Sequence, residues 1–290
     1  MGMAKTYIVL GATGHVGSTV MRALLAEGEK VIEVTRDEGK RKDLEASGAE
    51  VAVVDVHETE ALREVFRRGQ RLFLLNPLAP PSTDTDTEER KSLKSILAAV
   101  DGSGLERIVA QSTYGAQPGD HLGDLGVLYE MEQALSAGSI PTAFVRGAYF
   151  MSNWDMALES ARTEGKVPTL YPPDFTLPMV APEDLGRNAA RLLSADSAKT
   201  GVHHVEGPDR YSSADVAAAF AKALGKPVEA VTTPPDEWVS SLKAQGFSDP
   251  AAESMANVTR ITLEQGTDKP DDAIRGDVTL EEYISQLVSE

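Results

Sequence analysis

The chain has 290 residues, of which 41% are hydrophobic and 25% charged, and it carries a formal net charge of −17. This length suits one large domain or two unequal ones with enough chain to bury a core, which excludes disordered and fibrous classes. An acidic surface repels phosphate groups, so we expect no nucleic-acid partner and no binding to an anionic membrane surface. The absence of cysteine excludes disulfides and thiolate chemistry.

The sequence has no run of about 18 apolar residues and no N-terminal pattern typical of a secretory leader. Together with the missing cysteines, this predicts a cytoplasmic protein.

From Thr6 to about Gly147, short apolar runs alternate with longer stretches of helical periodicity. That alternation is typical of βαβ units and predicts an α/β fold with a Rossmann-type, doubly wound parallel sheet. The predicted strands are Tyr7–Leu10, Val31–Thr35, Val51–Asp55, Leu72–Leu75, Arg107–Gln111 and Thr142–Arg146. The predicted helices are Val16–Glu27, Glu60–Arg68, Glu88–Val100 and Val127–Ala137.

After Gly147 several prolines interrupt the alternation, which predicts a first domain over 1–147 and a smaller α+β lobe over 148–290. A helix at Pro182–Leu193 and a strand at Val202–Glu206 are expected to rejoin the first domain, at about 182–206. The remaining predicted helices run from Ser212 or Ser213 to Leu224, over Asp236–Ala244 and over Leu280–Val288.

A glycine-rich segment, GATGHVG, lies between the first predicted strand and the first predicted helix. A pyrophosphate must approach the backbone N–H groups at the start of a helix, so side chains have to be absent at the closest points. Gly11 then permits the tight turn, Gly14 the approach of the cofactor, and Gly17 the packing of the helix on the sheet. The segment therefore predicts a dinucleotide-binding loop.

The second predicted strand is followed by Arg36 and Asp37, nineteen residues beyond Gly17. At this place a dinucleotide fold selects between a ribose hydroxyl and a 2′-phosphate. Arg36 can bind a phosphate with two hydrogen bonds, and the basic residues 40–42 follow closely, so the pattern favours NADP(H) over NAD(H). Asp55 is placed either to accept from the adenine amino group or to cap the next helix.

Several segments resemble the NmrA-like branch of the atypical short-chain dehydrogenase/reductases. They are GATGHVG, Arg36, Asp55-Val56, Leu74-Leu75-Asn76-Pro77, the run RGAYFMSNW from Arg146 to Trp154, and Glu206-Gly207-Pro208. The resemblance covers nearly the whole chain. Three functional classes are implied by it: NAD(P)H:quinone reductases, reductases of aromatic compounds, and nonenzymatic sensors of nicotinamide redox state.

The resemblance also implies roles for individual positions. The pyrophosphate would be lined by Gly11, Thr13, Gly14, His15, Val16 and Gly17, and the adenosine phosphate by Arg36. Asn76 would contact the ribose, and Ser112 and Thr113 would face the nicotinamide. Tyr149, Phe150 and Asn153 would bound the cofactor and substrate cleft, although core packing explains Phe150 and Trp154 equally well.

One departure from the family's classical members is the loss of the Tyr-x-x-x-Lys pair, because no tyrosine is followed four residues later by lysine. The nearest trace is Tyr129 with Gln133, and a neutral glutamine cannot lower the pKa of a phenol. Reduction of a quinone demands less, since a quinone accepts hydride readily. Candidate proton donors are Tyr149, Tyr114 and His121, although the last is more simply explained as a surface loop residue.

The histidines show no metal-ligand spacing and no flavin is implied, so we expect no metal and no flavin. The sequence predicts an NADP(H)-binding oxidoreductase that reduces a quinone or similar conjugated carbonyl by direct hydride transfer. The alternative is a nonenzymatic redox sensor that acts through a protein partner. A homodimer stays open, and the segment Pro77–Pro81 is either a lid over the cleft or a stiff loop.

Overall fold

The computed structural model describes residues 5–195 and 199–289. The strands, in chain order, are β1 (Thr6–Leu10), β2 (Lys30–Thr35), β3 (Glu50–Val53), β4 (Arg71–Leu74), β5 (Arg107–Thr113), β6 (Thr142–Gly147), β7 (Tyr149–Phe150), β8 (Lys166–Thr169), β9 (Leu177–Val180), β10 (Gly201–Glu206), β11 (Arg210–Tyr211), β12 (Glu229–Thr232) and β13 (Ile274–Arg275). Eight of them form one sheet in the order β13-β10-β6-β5-β4-β1-β2-β3. Every pairing in this sheet is parallel, which confirms the predicted Rossmann-type class.

The helices, in chain order, are α1 (His15–Ala26), α2 (Arg41–Ala46), α3 (Thr59–Phe66), α4 (Thr85–Val100), α5 (Asp124–Ser136), α6 (Leu158–Thr163), α7 (Pro182–Ser194), α8 (Ser213–Leu224), α9 (Trp238–Ala244), α10 (Asp249–Gln265) and α11 (Leu280–Ser289). Helices α1 and α7 cover one face of the sheet, and α3, α4 and α5 cover the other. Successive strand residues point to opposite faces, so Tyr7 and Val9 pack beneath α1 while Ile8 and Leu10 pack beneath α3 and α4. Burial on both faces explains why these strands read as continuous apolar runs.

Helix α7 belongs to the second half of the chain but packs against α1 of the first half. The close approach depends on Gly186, where a Cβ atom would lie 2.6 Å from the Cβ of Thr19. Strand β10 then continues the large sheet beside β6, and β13 adds the last strand next to β10. The tail of the chain therefore returns to the first domain.

The smaller lobe has its own core, in which Met151, Trp154, Phe220 and Ile284 are buried. It contains the sheet β11-β9-β7 and the pair β12-β8. Helix α8 begins at Ser213, and Ser212 caps it in a reciprocal capping box with Asp215. A 3₁₀ segment, Met151–Ala157, follows β7 and contributes Met151 and Trp154 to this core.

The longest helix, α10, was not among the predicted elements, and neither was α2. Ser248 caps α10 by accepting a hydrogen bond from the N–H of Ala251, so a start signal was present. Its buried face consists of small residues, namely Ala251, Ala252, Ser254, Ala256 and Thr259. A stripe of alanine and serine gives a weak hydrophobic periodicity, which explains why the sequence pattern failed to show this helix.

Within the described residues, no helix is both long and apolar enough to cross a bilayer. The same residues contain no cluster of three or more side chains able to hold a metal ion.

An unusual feature of the large sheet is Glu33, which lies in β2 on the face covered by α1. Its side chain is 0% exposed, and neither carboxyl oxygen has a hydrogen-bond partner among the described residues. Burial raises the pKa of Glu33 to about 7, because the charged form is poorly solvated in an apolar core. The carboxyl group is therefore neutral in mildly acidic solution and becomes a buried charge in alkaline solution.

We predict that Glu33 makes the fold less stable as the pH rises. A carboxyl group whose pKa is higher in the folded than in the unfolded chain destabilises the fold once the pH exceeds its ordinary pKa of 4.5. The loss of folding free energy reaches its full size once the pH exceeds the pKa of the folded chain, about 7. Glu33→Gln removes this loss, which is on the order of 3 kcal/mol. Urea unfolding of both proteins at about pH 5 and about pH 8 measures the difference, and a wild-type-to-variant difference independent of pH would contradict the prediction.

Candidate active site

The glycine-rich turn between β1 and α1 lies at the carboxyl edge of the large sheet. Gly11 has a φ of +71°, a left-handed conformation that favours glycine. The N–H of Gly14 donates to the carbonyl oxygen of Gly11 at 2.9 Å, which closes the turn. A Cβ atom on Gly17 would overlap that same carbonyl group, so Gly17 allows the helix to start against its own loop.

Gly14 has a different reason to lack a side chain. Its backbone is extended, with a φ of −93°, and a Cβ atom would meet only the Gly11 oxygen at an ordinary 3.4 Å. A residue with a side chain therefore fits the fold at this position, provided that it keeps the backbone N–H that donates to Gly11. The absence of a side chain leaves open space in front of the first turn of α1, as the approach of a ligand requires.

The start of α1 is electrostatically suited to an anion. It has no side-chain cap and no acidic residue in its first turn, whereas α7, α8 and α10 each begin with acidic residues. The first N–H groups of a helix lack intrahelical acceptors and form the positive end of its dipole. The N–H groups of residues 15–17 can therefore donate to a phosphate, while the Thr13 and His15 side chains are exposed beside it and Val16 is buried.

Arg36 is exposed immediately after β2. The neighbouring charges are engaged elsewhere, because Asp37 accepts from the N–H of Gly39 at 2.8 Å and Arg41 pairs with Glu38 at 2.6 Å. Asp37 thus forms a turn, and the exposed side chain of Arg36 is available to a phosphate at this edge.

The sequence predicted that Asp55 is the last residue of the third strand. In the structure β3 ends at Val53, and Asp55 lies beyond it. Its carboxylate accepts from the N–H of His57 at 2.9 Å, which stabilises the turn before α3, while the residue that precedes α3 is Glu58. Asp55 remains at the carboxyl edge and is partly exposed.

At the end of β4, Asn76 is buried and donates from its amide to the backbone oxygen of Glu89 at 3.2 Å. Its amide oxygen has no partner among the described residues. The following loop is held in place, since Ala79 donates its N–H to the Glu89 carboxylate at 3.0 Å and Ser248 donates its N–H to Pro81 at 2.9 Å. The proline-rich segment is therefore fixed to α4 and to the start of α10.

The hydroxyl group of Ser112, on β5, donates to the carboxylate of Glu132 on α5 at 2.5 Å, and the side chain is only 1% exposed. Ser112 therefore points into the layer between sheet and α5, where a nicotinamide ring has no access. Thr113, on the opposite side of the strand, is half-buried and donates to the backbone oxygen of Tyr114 at 3.3 Å. Of the two residues predicted to face the nicotinamide, Thr113 is thus the one that a ligand can reach more easily.

Glu132 is the centre of a charged network at the ends of β5 and β6. Arg146, on β6, donates two hydrogen bonds to Glu132, at 2.8 and 2.7 Å. Arg146 also lies 3.6 Å from Asp268, whose carboxylate is 3.4 Å from His204 and accepts from the N–H of Gly115. The network ties the tail of the chain to the ends of β5, β6 and β10.

The other two candidate proton donors, Tyr114 and His121, have partners other than Tyr149. Tyr114 is buried and donates its hydroxyl group to Glu206 at 2.9 Å; burial and this contact raise its pKa, which keeps the proton on the phenol. His121 is exposed in the loop before α5, and its backbone oxygen accepts from Asn257 of α10 at 3.3 Å. No contact among the described residues brings these three side chains together.

Tyr149 is half-buried at the junction of sheet and lobe. Its ring lies 5.9 Å from Trp154 and 6.0 Å from Tyr171, and Tyr171 stacks on Phe175 at 5.8 Å. Desolvation and the neighbouring Tyr171 raise the pKa of Tyr149, while its hydrogen bond to Asn153 lowers it. The phenol is therefore protonated at neutral pH.

Phe150 is half-buried and packs against the core beneath α7, with its ring close to Gly147. Asn153 is exposed and reaches the Tyr149 hydroxyl group. The sequence reasoning did not identify Tyr171, Phe175 or α10 as parts of this region. The hydroxyl group of Tyr171 contacts Thr259 and Thr262 of α10, so the long helix borders the aromatic cluster.

We predict that Arg146→Met destabilises the fold by about 3 to 5 kcal/mol, because it leaves the buried Glu132 carboxylate without a cation and with only the Ser112 hydroxyl group as a donor. Glu132 and Arg146 are only 5% and 17% exposed. A matched control is Lys222→Met, which removes an ion pair to Glu281 whose side chains are 71% and 63% exposed and should cost less than about 1 kcal/mol. Urea unfolding at neutral pH checks both, and similar small losses would contradict the prediction.

The model of the NmrA-like family matches residues 3–289 of the chain. The NAD(P)H azoreductase of Xenophilus azovorans is 25% identical over 250 residues, which is 86% of this chain and 84% of that protein. Quinone oxidoreductase 2 of Escherichia coli is 22% identical over 251 residues, which is 86% of this chain and 85% of that protein. The solved NADPH complex of an Escherichia coli quinone oxidoreductase superposes with a TM-score of 0.82 at 21% identity, covering 97% of this chain and 99% of that one.

Proposed function

This chain belongs to the NmrA-like family, and from that premise we propose that it is an NADP(H)-dependent oxidoreductase that reduces a quinone or a similar conjugated acceptor. The observation that carries the proposal is the start of α1, which offers free backbone N–H groups, no acidic residue and the open space at Gly14. Relatives named as an NAD(P)H azoreductase and a quinone oxidoreductase support a reductase that acts on conjugated acceptors.

The residues at the carboxyl edge fit a dinucleotide. Backbone N–H groups of residues 15–17 would hold the pyrophosphate, Arg36 the adenosine 2′-phosphate, and Asn76 and Thr113 the nicotinamide half. When bound, the cofactor supplies a hydride. The buried amide oxygen of Asn76, which has no partner among the described residues, is suited to accept a hydrogen bond from a ligand.

On the substrate side, the chain supplies an apolar wall and a proton. The cluster of Tyr149, Trp154, Tyr171 and Phe175 offers ring faces and edges to a flat conjugated acceptor. The raised pKa of Tyr149 keeps its phenol protonated, so Tyr149 can donate a hydrogen bond to an acceptor oxygen as negative charge develops there. Asn153 orients that hydroxyl group.

A nucleotide-dependent sensor is the second candidate. It is favoured by the loss of the Tyr-x-x-x-Lys pair and by the engagement of Ser112 with Glu132, which leaves the serine hydroxyl unable to serve a substrate. Such a protein would bind the dinucleotide, change the arrangement of its lobe and signal to a protein partner without turnover.

We predict saturable oxidation of NADPH with benzoquinones, naphthoquinones or azo compounds, followed as the loss of nicotinamide absorbance. Gly14→Val is the blank, because its side chain fits the backbone but fills the pyrophosphate position. Turnover above this blank establishes the reductase. No turnover in folded wild-type protein that binds NADPH would contradict the reductase and favour the sensor.

We predict that Arg36→Ala weakens NADPH binding about tenfold or more and leaves NADH binding nearly unchanged, because only NADPH carries the 2′-phosphate. The matched control is Arg41→Ala, since Arg41 already pairs with Glu38 and Glu45. Calorimetric titration of each variant with both cofactors measures the preference. An equal loss in the two variants, or no loss in Arg36→Ala, would contradict the assignment of Arg36.

A further inference from the structure

A polar connection joins the phosphate loop to the smaller lobe. His15, the first residue of α1, lies with its Nε2 atom 3.7 Å from the Oδ2 atom of Asp155. Asp155 belongs to the 3₁₀ segment that follows β7, and its side chain is 27% exposed. The pair therefore crosses from the nucleotide-binding domain to the lobe, directly beside the open start of α1.

The connection continues into the C-terminal helix. The hydroxyl group of Tyr283, on α11, donates to the Oδ1 atom of Asp155 at 2.8 Å. Tyr283 is 8% exposed and belongs to the core of the lobe, where α11 packs against α8. The two oxygens of Asp155 thus face two different parts of the molecule, the phosphate loop and the buried face of α11.

The chemistry of the three groups suits a ligand with negative charge at the loop. An imidazolium ring has an N–H donor on each of two sides, so it can bind a carboxylate with one nitrogen and a phosphate with the other. A carboxylate that holds one nitrogen also fixes the direction of the ring. Without His15 between them, Asp155 and a pyrophosphate would repel each other, because both are anions.

We propose that Asp155 is a positioning residue that holds His15 toward the pyrophosphate and, through Tyr283, makes the order of α11 depend on cofactor binding. This inference rests on the proposed function, because it assumes that the dinucleotide binds at the start of α1. It adds a residue to the cofactor site that touches the cofactor only through His15. It also assigns the C-terminal helix a role in responding to the bound state of the loop.

The first test is a double-mutant cycle on NADPH affinity with Asp155→Asn, His15→Gln and the double variant. Asparagine keeps the oxygen that accepts from Tyr283 and removes the charge. We expect Asp155→Asn to weaken NADPH binding about two- to fivefold, as the loss of an exposed ion pair allows. In the His15→Gln background the same change should not weaken NADPH binding. Without His15, the charge of Asp155 only repels the pyrophosphate, and Asp155→Asn removes that repulsion.

Glu159→Gln is the control for net charge, since it removes one exposed carboxylate from α6 in the same lobe. It should leave NADPH affinity within about 1.5-fold of wild type, as expected for a charge largely screened by solvent. Tighter binding by Asp155→Asn, or an equal effect of this change in both His15 backgrounds, would overturn the positioning role.

The second test measures the rate of amide hydrogen exchange in α11 with and without NADPH. We expect NADPH to slow exchange in α11 of the wild type, and Tyr283→Phe to abolish most of that slowing while NADPH still binds. Equal slowing in Tyr283→Phe would overturn the connection to α11. If wild-type protein fails to bind NADPH at all, the proposed function itself is wrong. If wild-type protein binds NADPH and the effects of Asp155→Asn and His15→Gln simply add, only this inference is overturned.

Discussion

The structure depends on the close contact between the start of α1 and the loop that precedes it. Gly17 lies so near the Gly11 carbonyl group that no other residue type fits without moving the loop, and this contact directs the first N–H groups of α1 toward the carboxyl edge of the sheet. Helix α7 packs against α1 and comes closest to it at Gly186, and this contact also holds α1 in that direction. A helix start that is both exposed and rigid can bind an anion without reorganising, and preorganised groups of this kind bind more strongly than mobile ones.

The second half of the chain is built around that edge. Strand β10 and helix α7 extend the large sheet and its covering layer, and the tail from α10 to β13 crosses the ends of β5, β6 and β10. Asp268 and Arg275 bind this tail to Arg146, His204 and Glu206. Ion pairs thus attach this tail to the large sheet, and the aromatic cluster begins at Tyr149, shortly after the end of β6.

Short-range patterns in the sequence predicted the parts of the site that depend on backbone geometry. The glycine spacing identifies the loop of residues 11–17, because the requirement for absent side chains is local, and the place of Arg36 follows from the strand that precedes it. The direction of Ser112 did not follow from the sequence, since it is decided by Glu132, a residue on another element whose partner Arg146 lies on a third. Helix α10 and Tyr171 were missed for a related reason: their contribution comes from tertiary contacts among small or isolated residues, which leave no periodic signal.

A crystal structure of the protein grown with NADPH tests the central assignment most directly. We predict pyrophosphate oxygens within hydrogen-bond distance of the backbone N–H groups of residues 15–17, the 2′-phosphate against Arg36, and the nicotinamide between Thr113 and Tyr149. A dinucleotide bound at any other edge of the sheet, or no dinucleotide in crystals grown at saturating concentration, would contradict it.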